Sequence, residues 1–226
     1  MMVCATVMFA GCNKDENNEP TAAANGGTNG GGQTTVEWVD LGLPSGLLWA
    51  KCNLGATTPE GYGDYYAWGE TTTKDVYNVS TYKYCNGSIY ALTKYCNTDG
   101  LTTLEAMDDA ATQKLGSGAR IPTKAEWVEL INNTTAEWTT MNGVNGRKFT
   151  AFNGNSLFLP AAGYRGAEID DAGSYGTYWS SERNWDDSWS TGNAYYFIFN
   201  EGDQGVIYDG GWRYYGQSVR PVRSVR

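Results

Sequence analysis

From Val36 onward, short apolar or aromatic runs alternate with clusters of Gly, Asn, Asp and Ser, a pattern of strands joined by loops. The clearest runs are Ser156 to Ala161, Tyr178 to Ser181, Ala194 to Asn200, Gly205 to Tyr208 and Ser218 to Val222. Ala194-Tyr195-Tyr196-Phe197-Ile198-Phe199 is apolar on both faces and is predicted as a central strand. Two segments change to helical spacing. In the first, Thr102 and Glu105 form a capping box, Leu104, Met107, Ala111 and Leu115 recur on one face, and Gly116 stops the run. In the second, Thr123 and Glu126 form another capping box just after Pro122, with Trp127, Leu130 and Ile131 as the apolar stripe, ending at Asn132-Asn133. The pattern predicts an α+β domain over residues 36–226, with two helices and a small, loop-rich antiparallel sheet.

The first 35 residues have a different texture. Residues 1–11 form an apolar stretch ending in Phe9-Ala10-Gly11 before Cys12, with no Lys or Arg ahead of the apolar run. This resembles a bacterial lipobox, in which the signal peptide is cleaved before a diacylated cysteine, and the stretch is too short to span a bilayer. Asn13-Lys14-Asp15-Glu16 resembles the export tag of surface lipoproteins in Bacteroidetes-type bacteria. Cys12 is thus the expected lipidation site, and the expected location is the outer membrane, exposed at the cell surface. The rest of 12–35 is mainly Asn, Gly, Thr and Ala, and reads as a tether with a root-mean-square reach of roughly 27 Å.

Charge and composition narrow the function. A formal charge of −9 disfavours a nucleic-acid partner, because phosphate backbones are held by Lys and Arg clusters. The chain has no histidine, which removes the usual general base and the commonest zinc ligand. The expected class is therefore a binding module and not an enzyme, with no cofactor. Beyond Cys4 and Cys12, the chain has Cys52, Cys85 and Cys96. Cys85 and Cys96 sit in the similar phrases Tyr84-Cys85-Asn86 and Tyr95-Cys96-Asn97, candidates for a disulfide closing one loop, with Cys52 left as a buried thiol.

Four phrases carry a family resemblance. Val39-Asp40-Leu41-Gly42-Leu43-Pro44-Ser45-Gly46-Leu47-Leu48-Trp49-Ala50 and Tyr65-Tyr66-Ala67-Trp68-Gly69-Glu70 resemble the opening of the FISUMP family, the major paralogous domain proteins. Arg120-Ile121-Pro122-Thr123-Lys124-Ala125-Glu126-Trp127 and Ser218-Val219-Arg220-Pro221-Val222-Arg223 resemble its second half, so the likeness spans nearly all of 36–226. The resemblance implies a C-type-lectin-like fold, more distantly similar to formylglycine-generating enzymes. Those enzymes use a cysteine pair in their C-terminal half, whereas the last cysteine here is Cys96, so their activity is not carried over.

The candidate binding surface lies near the C-terminus. From Tyr175 to Gln217 the chain holds seven Tyr, four Trp and seven Gly with no Lys, a palette suited to a glycan or a protein ligand. Trp179, Tyr195, Phe197 and Phe199 lie in strand-like runs and are assigned to the core. Two polar aromatic loops remain. The first contributes Arg183, Asn184, Trp185, Asp186, Asp187 and Trp189; the second contributes Tyr208, Asp209, Trp212, Arg213, Tyr214 and Tyr215. Residues 182–217 also resemble the variable regions of proteins diversified by retroelements. Asp186-Asp187, Glu168, Asp170, Asp171 and Asp203 lack the Glu-Pro-Asn, Gln-Pro-Asp and Trp-Asn-Asp phrases of calcium-binding lectins and read as solvated acidic loops, leaving no metal site. The alternative function is a structural envelope or adhesin-tip component without an external ligand.

Overall fold

The computed structural model describes residues 36–116, 118–184 and 192–225. Short strands dominate. The N-terminal half contributes β1 (Trp38–Asp40), β2 (Leu47–Ala50) and β3 (Tyr65–Tyr66), then helix α1 (Ala110–Leu115), β4 (Ala119–Arg120) and helix α2 (Lys124–Asn132). The hairpin β5 (Thr134–Met141) and β6 (Val144–Ala151) follows, then β7 (Ser156–Pro160), β8 (Tyr164–Arg165) and β9 (Ile169–Asp170). The chain closes with β10 (Gly176–Arg183), β11 (Asn193–Phe199), β12 (Val206–Trp212), β13 (Gln217–Ser218) and β14 (Val222–Ser224). This is an α+β arrangement with two α-helices, as the sequence predicts. Among the described residues, no helix is long and apolar enough to cross a membrane.

Helix α2 forms where its capping box predicts. The Thr123 side chain accepts from the Glu126 amide, and the Glu126 carboxylate accepts from the Thr123 amide at 2.8 Å. Arg120 adds a second lock by donating to Glu126 at 2.7 Å. Helix α1 differs from expectation. It starts at Ala110 with Asp109 as its N-cap, so Thr102 and Glu105 form no capping box there. The 101–108 stretch is drawn to β10 instead: Thr103 bridges Glu182 and the Leu104 amide donates to the Ser181 carbonyl at 2.9 Å. Gly116, at φ 88°, stops the helix as predicted.

Strand pairing gives a four-stranded sheet ordered β1-β2-β14-β4, a five-stranded sheet ordered β12-β11-β10-β13-β3, a three-stranded β5-β6-β7 meander and the β8-β9 pair. Strand β11 is central, flanked by antiparallel β10 and β12, as its two apolar faces predict. Gly176 of β10 opens the pairing with Phe199; β10 runs parallel to β13, and Gly163 adds an isolated parallel bridge to Gly176. The predicted run Ser218 to Val222 is split: β13 and β14 serve different sheets on either side of Val219-Arg220-Pro221. The β5–β6 hairpin turns at Asn142-Gly143, both at positive φ (49° and 82°), a geometry that suits this pair and matches the twist of the strands.

Arg220 explains why the split is stable. It is fully buried and donates to Asn53 Oδ1, to the carbonyls of Ala50 and Lys51, and to that of Phe158, tying β2, its following turn and β7 to the C-terminal segment. Neutral acceptors satisfy this buried charge, as a desolvated guanidinium requires. Two aromatic cores fill the interior. One gathers Trp68, Tyr77, Tyr82, Tyr95 and Trp179, and the other packs Trp49, Trp127, Phe149, Tyr178, Phe197 and Phe199. Trp179, Tyr195, Phe197 and Phe199 are all buried, in the core role read from the sequence.

Candidate ligand-binding site

A bulge in β12 determines how its aromatic residues are presented. The β11–β12 ladder pairs Tyr196 with Tyr208 and Ala194 with Gly211, so two steps along β11 are matched by three along β12. The extra residue falls in Asp209-Gly210 and re-aims the strand beyond it. Asn184 steadies the bulge by donating from Nδ2 to the Asp209 carbonyl at 3.0 Å. The two glycines are required by close approach. A Cβ on Gly211 would sit 2.7 Å from the Tyr196 ring, and one on Gly210 would sit 2.8 Å from the Tyr208 ring.

Four predicted residues of this segment form a partly exposed aromatic surface. Tyr208 is 52% exposed and packs edge-on against Tyr196, with centroids 5.6 Å apart. Trp212 and Tyr214 are half-buried and lie nearly parallel, 6.1 Å apart at 15°, and Tyr214 meets Tyr215 at 4.7 Å. Tyr215 continues edge-on to Tyr164 at 5.2 Å. Asp209 is exposed beside Tyr208. Beside this ridge lies a groove of about 270 Å³ across one face of the five-stranded sheet. Tyr196 and Ile198 of β11 face it, while the alternate residues Tyr195, Phe197 and Phe199 are buried. Trp212, Tyr215, Tyr164 and Tyr175 add aromatic walls, and Asp171, Thr177 and Gln217 supply polar groups. A wider depression of about 550 Å³ is lined by Tyr214 and Tyr215 together with Tyr77, Asn78 and Asp170.

Three tyrosine hydroxyls at this surface have raised pKa values. Burial, with the neighbouring Tyr208 and Tyr164 hydroxyls, pushes Tyr196 up to about 12. Burial and Tyr215 push Tyr214 up to about 12. Burial followed by Asp170 and Asp171 raises Tyr164. Each remains a hydroxyl able to donate as well as accept a hydrogen bond at neutral pH.

Three predicted contact residues are corrected. Arg213 is 1% exposed, donating from Nη1 to the Tyr95 carbonyl at 2.9 Å and from Nε to the Asn193 carbonyl at 3.0 Å, with its guanidinium 4.9 Å from the Trp68 ring centre. Arg183 is buried beside it and donates to the same Tyr95 carbonyl at 3.1 Å and to Asn97 Oδ1 at 3.2 Å. Burial lowers the pKa of both guanidiniums. Asn184 is buried in its bulge contact. All three donate to internal backbone carbonyls; alternation sends Arg213 inward between Trp212 and Tyr214, whereas the adjacent Arg183 and Asn184 are both buried at the end of β10. Trp185, Asp186, Asp187 and Trp189 lie outside the described residues, as does Cys12.

The expected disulfide is also corrected: Cys85 and Cys96 are free, like Cys52. The Cys85 thiol points at the carbonyl of Val79 at 3.0 Å, and the Cys96 thiol meets Thr98 Oγ1 at 3.1 Å, so each is turned to its own local partner. Cys52 is only half-buried, and burial raises its pKa. Glu168, Asp170, Asp171 and Asp203 are exposed, and among the described residues no group of three or more acidic or cysteine side chains is placed to hold a metal ion.

Sequence reasoning missed Tyr164, Tyr175, Tyr196 and Gln217 as groove residues. Only Tyr196 carried a usable signal, because alternation opposite the buried Tyr195 and Phe197 assigns it to the other face of β11. No family model matches the chain, and comparisons with curated proteins and with solved structures find no similar protein.

Proposed function

We propose that this chain is a surface-displayed lipoprotein whose C-terminal aromatic face binds an external ligand, a glycan or a protein, and that it does no catalysis. The observation that carries this reading is the run Tyr208, Trp212, Tyr214 and Tyr215: large rings left partly exposed along a bulged strand and bordering a groove. Contiguous exposed aromatic patches are uncommon on soluble proteins and often mark interaction sites, and rigid aromatics give contact area at low entropic cost. The domain is read as C-type-lectin-like, supported by the family resemblance, the two helices and the loop-rich, mostly antiparallel pairing. The aromatic and polar palette of this face also fits a diversified receptor. A reverse transcriptase and a near-copy of the C-terminal coding segment in the flanking DNA would test that point.

The lipobox places the anchor at Cys12. Cys12→Ser is expected to release soluble protein from the outer-membrane fraction; retention of that variant after a salt wash would refute the anchor.

One feature favours the alternative of a structural envelope or adhesin-tip component. Strand β12 is the outer strand of its sheet and exposes Val206 at 47% beside Tyr208, the kind of edge to which another subunit's strand can be added. Glycan arrays and affinity capture with the purified protein separate the two readings. Saturable binding of an external ligand supports the receptor, and co-purification with envelope proteins alone supports the structural role.

A further inference from the structure

We infer that the groove between β8 and the β10–β11–β12 face is a subsite for a single neutral sugar ring, held by stacking on its tyrosine and tryptophan walls and by a hydrogen bond to the Gln217 amide. The inference rests on the binding reading above and names its ligand class. Its first support is the wall chemistry. Tyr164, Tyr175, Tyr196, Trp212 and Tyr215 offer ring faces and edges to the apolar C–H surface of a pyranose, and the tyrosine hydroxyls and the Trp212 indole N–H are groups of the kind that pair with sugar hydroxyls.

The second support is independent of the rings. Gln217 is 4% exposed, yet its Oε1 finds no hydrogen-bond donor among the described residues. Of the residues lining the groove, it alone carries such an atom. Buried acceptors are as a rule paired by protein, water or a ligand; Asn193 Oδ1 and Ser218 Oγ are likewise unpaired among the described residues, but neither lines the groove. A ligand hydroxyl entering the groove would satisfy the Gln217 acceptor with a small adjustment of the amide.

The third support is size and charge. A volume of about 270 Å³ is at the small end for ligand sites, room for one ring and not for a broad peptide surface. Among the described residues, Asp171 is the only charged one in the lining, with no cation to meet a phosphate, sulfate or carboxylate. This argues against anionic ligands. A lone carboxylate is also too few oxygen ligands to hold a calcium ion, so the binding is independent of divalent cations.

The test uses the purified full chain and the methyl glycosides of glucose, galactose, mannose and N-acetylglucosamine as probes, with N-acetylneuraminic acid as the charged control. Titration is followed by ligand-observed saturation transfer and by the Ile198 methyl resonance of the protein. At least one neutral glycoside is expected to bind and shift Ile198 while the core Ile121 stays fixed, with no effect of EDTA. Gln217→Met is expected to weaken binding about tenfold without lowering the thermal midpoint. The Ile198 shift is read on the unsubstituted protein and stands even if Gln217→Met fails to fold. Binding that leaves Ile198 unmoved, is lost with EDTA or favours the acidic sugar overturns the groove assignment. If no glycoside binds but a protein ligand is captured and lost in Tyr214→Ala, the sugar subsite is refuted and the broader receptor reading survives. If nothing binds in either assay, both fall.

Discussion

The indole of Trp127 lies stacked on the ring of Phe197, with centroids 4.8 Å apart and planes within 17°, and its Nε1 donates to the Trp179 carbonyl at 3.2 Å. This contact joins α2 to the central strand and to β10 behind it. The face of β11 that carries Phe197 is thereby fixed to the core, which leaves Tyr196 and Ile198 to the groove.

Removing that indole is expected to damage the fold, whereas removing a ring of the binding surface is not. Trp127→Ala leaves a cavity beneath α2 and should cost about 3–5 kcal/mol. Trp212→Ala removes a half-buried ring at the end of β12 and should lower the thermal midpoint by no more than a few degrees, about 1 kcal/mol. A pair of thermal melts checks both. Equal losses would make Trp212 part of the core.

Acid stability should depend on Asp108. This carboxylate is 1% exposed, and burial alone would raise its pKa. Hydrogen bonds from Lys94 at 2.6 Å and the Tyr95 hydroxyl at 2.8 Å outweigh burial and hold it at about 2. A carboxylate depressed in the folded state stabilises fully above its unfolded pKa, and that stability is lost as pH falls from about 4 toward 2. The adjacent Asp109, capping α1, is shifted the other way by burial and opposes the effect. Urea titrations from pH 5 to 2 should show stability falling, with a shallower fall in Asp108→Asn. An unchanged slope in the variant would remove Asp108 from this role.

The thiols of Cys85 and Cys96 should contribute little as a pair. Dithiothreitol is expected to leave the thermal midpoint in place, and the double variant Cys85→Ser/Cys96→Ser should stay within about 1 kcal/mol of the parent, the range of mild substitutions. A bridge closing this loop would instead contribute about 2–4 kcal/mol. A reductant-induced drop of many degrees would reinstate it.

What the sequence made legible was local. The Thr123–Glu126 box works within four residues, so α2 was found, and the apolar faces of 194–199 sufficed to make β11 central. Where a distant partner decided, the reading failed. Residues 101–108 carry a helical stripe, but pairing with Glu182 and Ser181 outcompetes it, leaving Met107 66% exposed. Pro221 and the burial of Arg220 divide one apparent strand between two sheets. The β5–β6 hairpin was not read from the sequence, because its arms are mostly half-buried and lack an apolar run. For the candidate site, Tyr208, Trp212, Tyr214 and Tyr215 were read from the sequence as one aromatic segment, and all four are exposed or half-buried. Arg183 and Arg213 look like surface residues in a polar aromatic segment, and only the Tyr95 carbonyl, remote in sequence, shows why they are inside. Tyr164 and Gln217 are brought to one groove by the fold alone.

The central claim is that the Trp212–Tyr214 face binds an external ligand, and the most direct measurement is equilibrium binding by the parent and by Trp212→Ala and Tyr214→Ala to a ligand obtained from glycan arrays or affinity capture, with melts recorded on the same samples. The account predicts a loss of about 2 kcal/mol, roughly thirtyfold in affinity, for at least one of the two variants, with thermal midpoints within a few degrees of the parent. Unchanged affinity in both variants, or a loss that simply tracks unfolding, would contradict it.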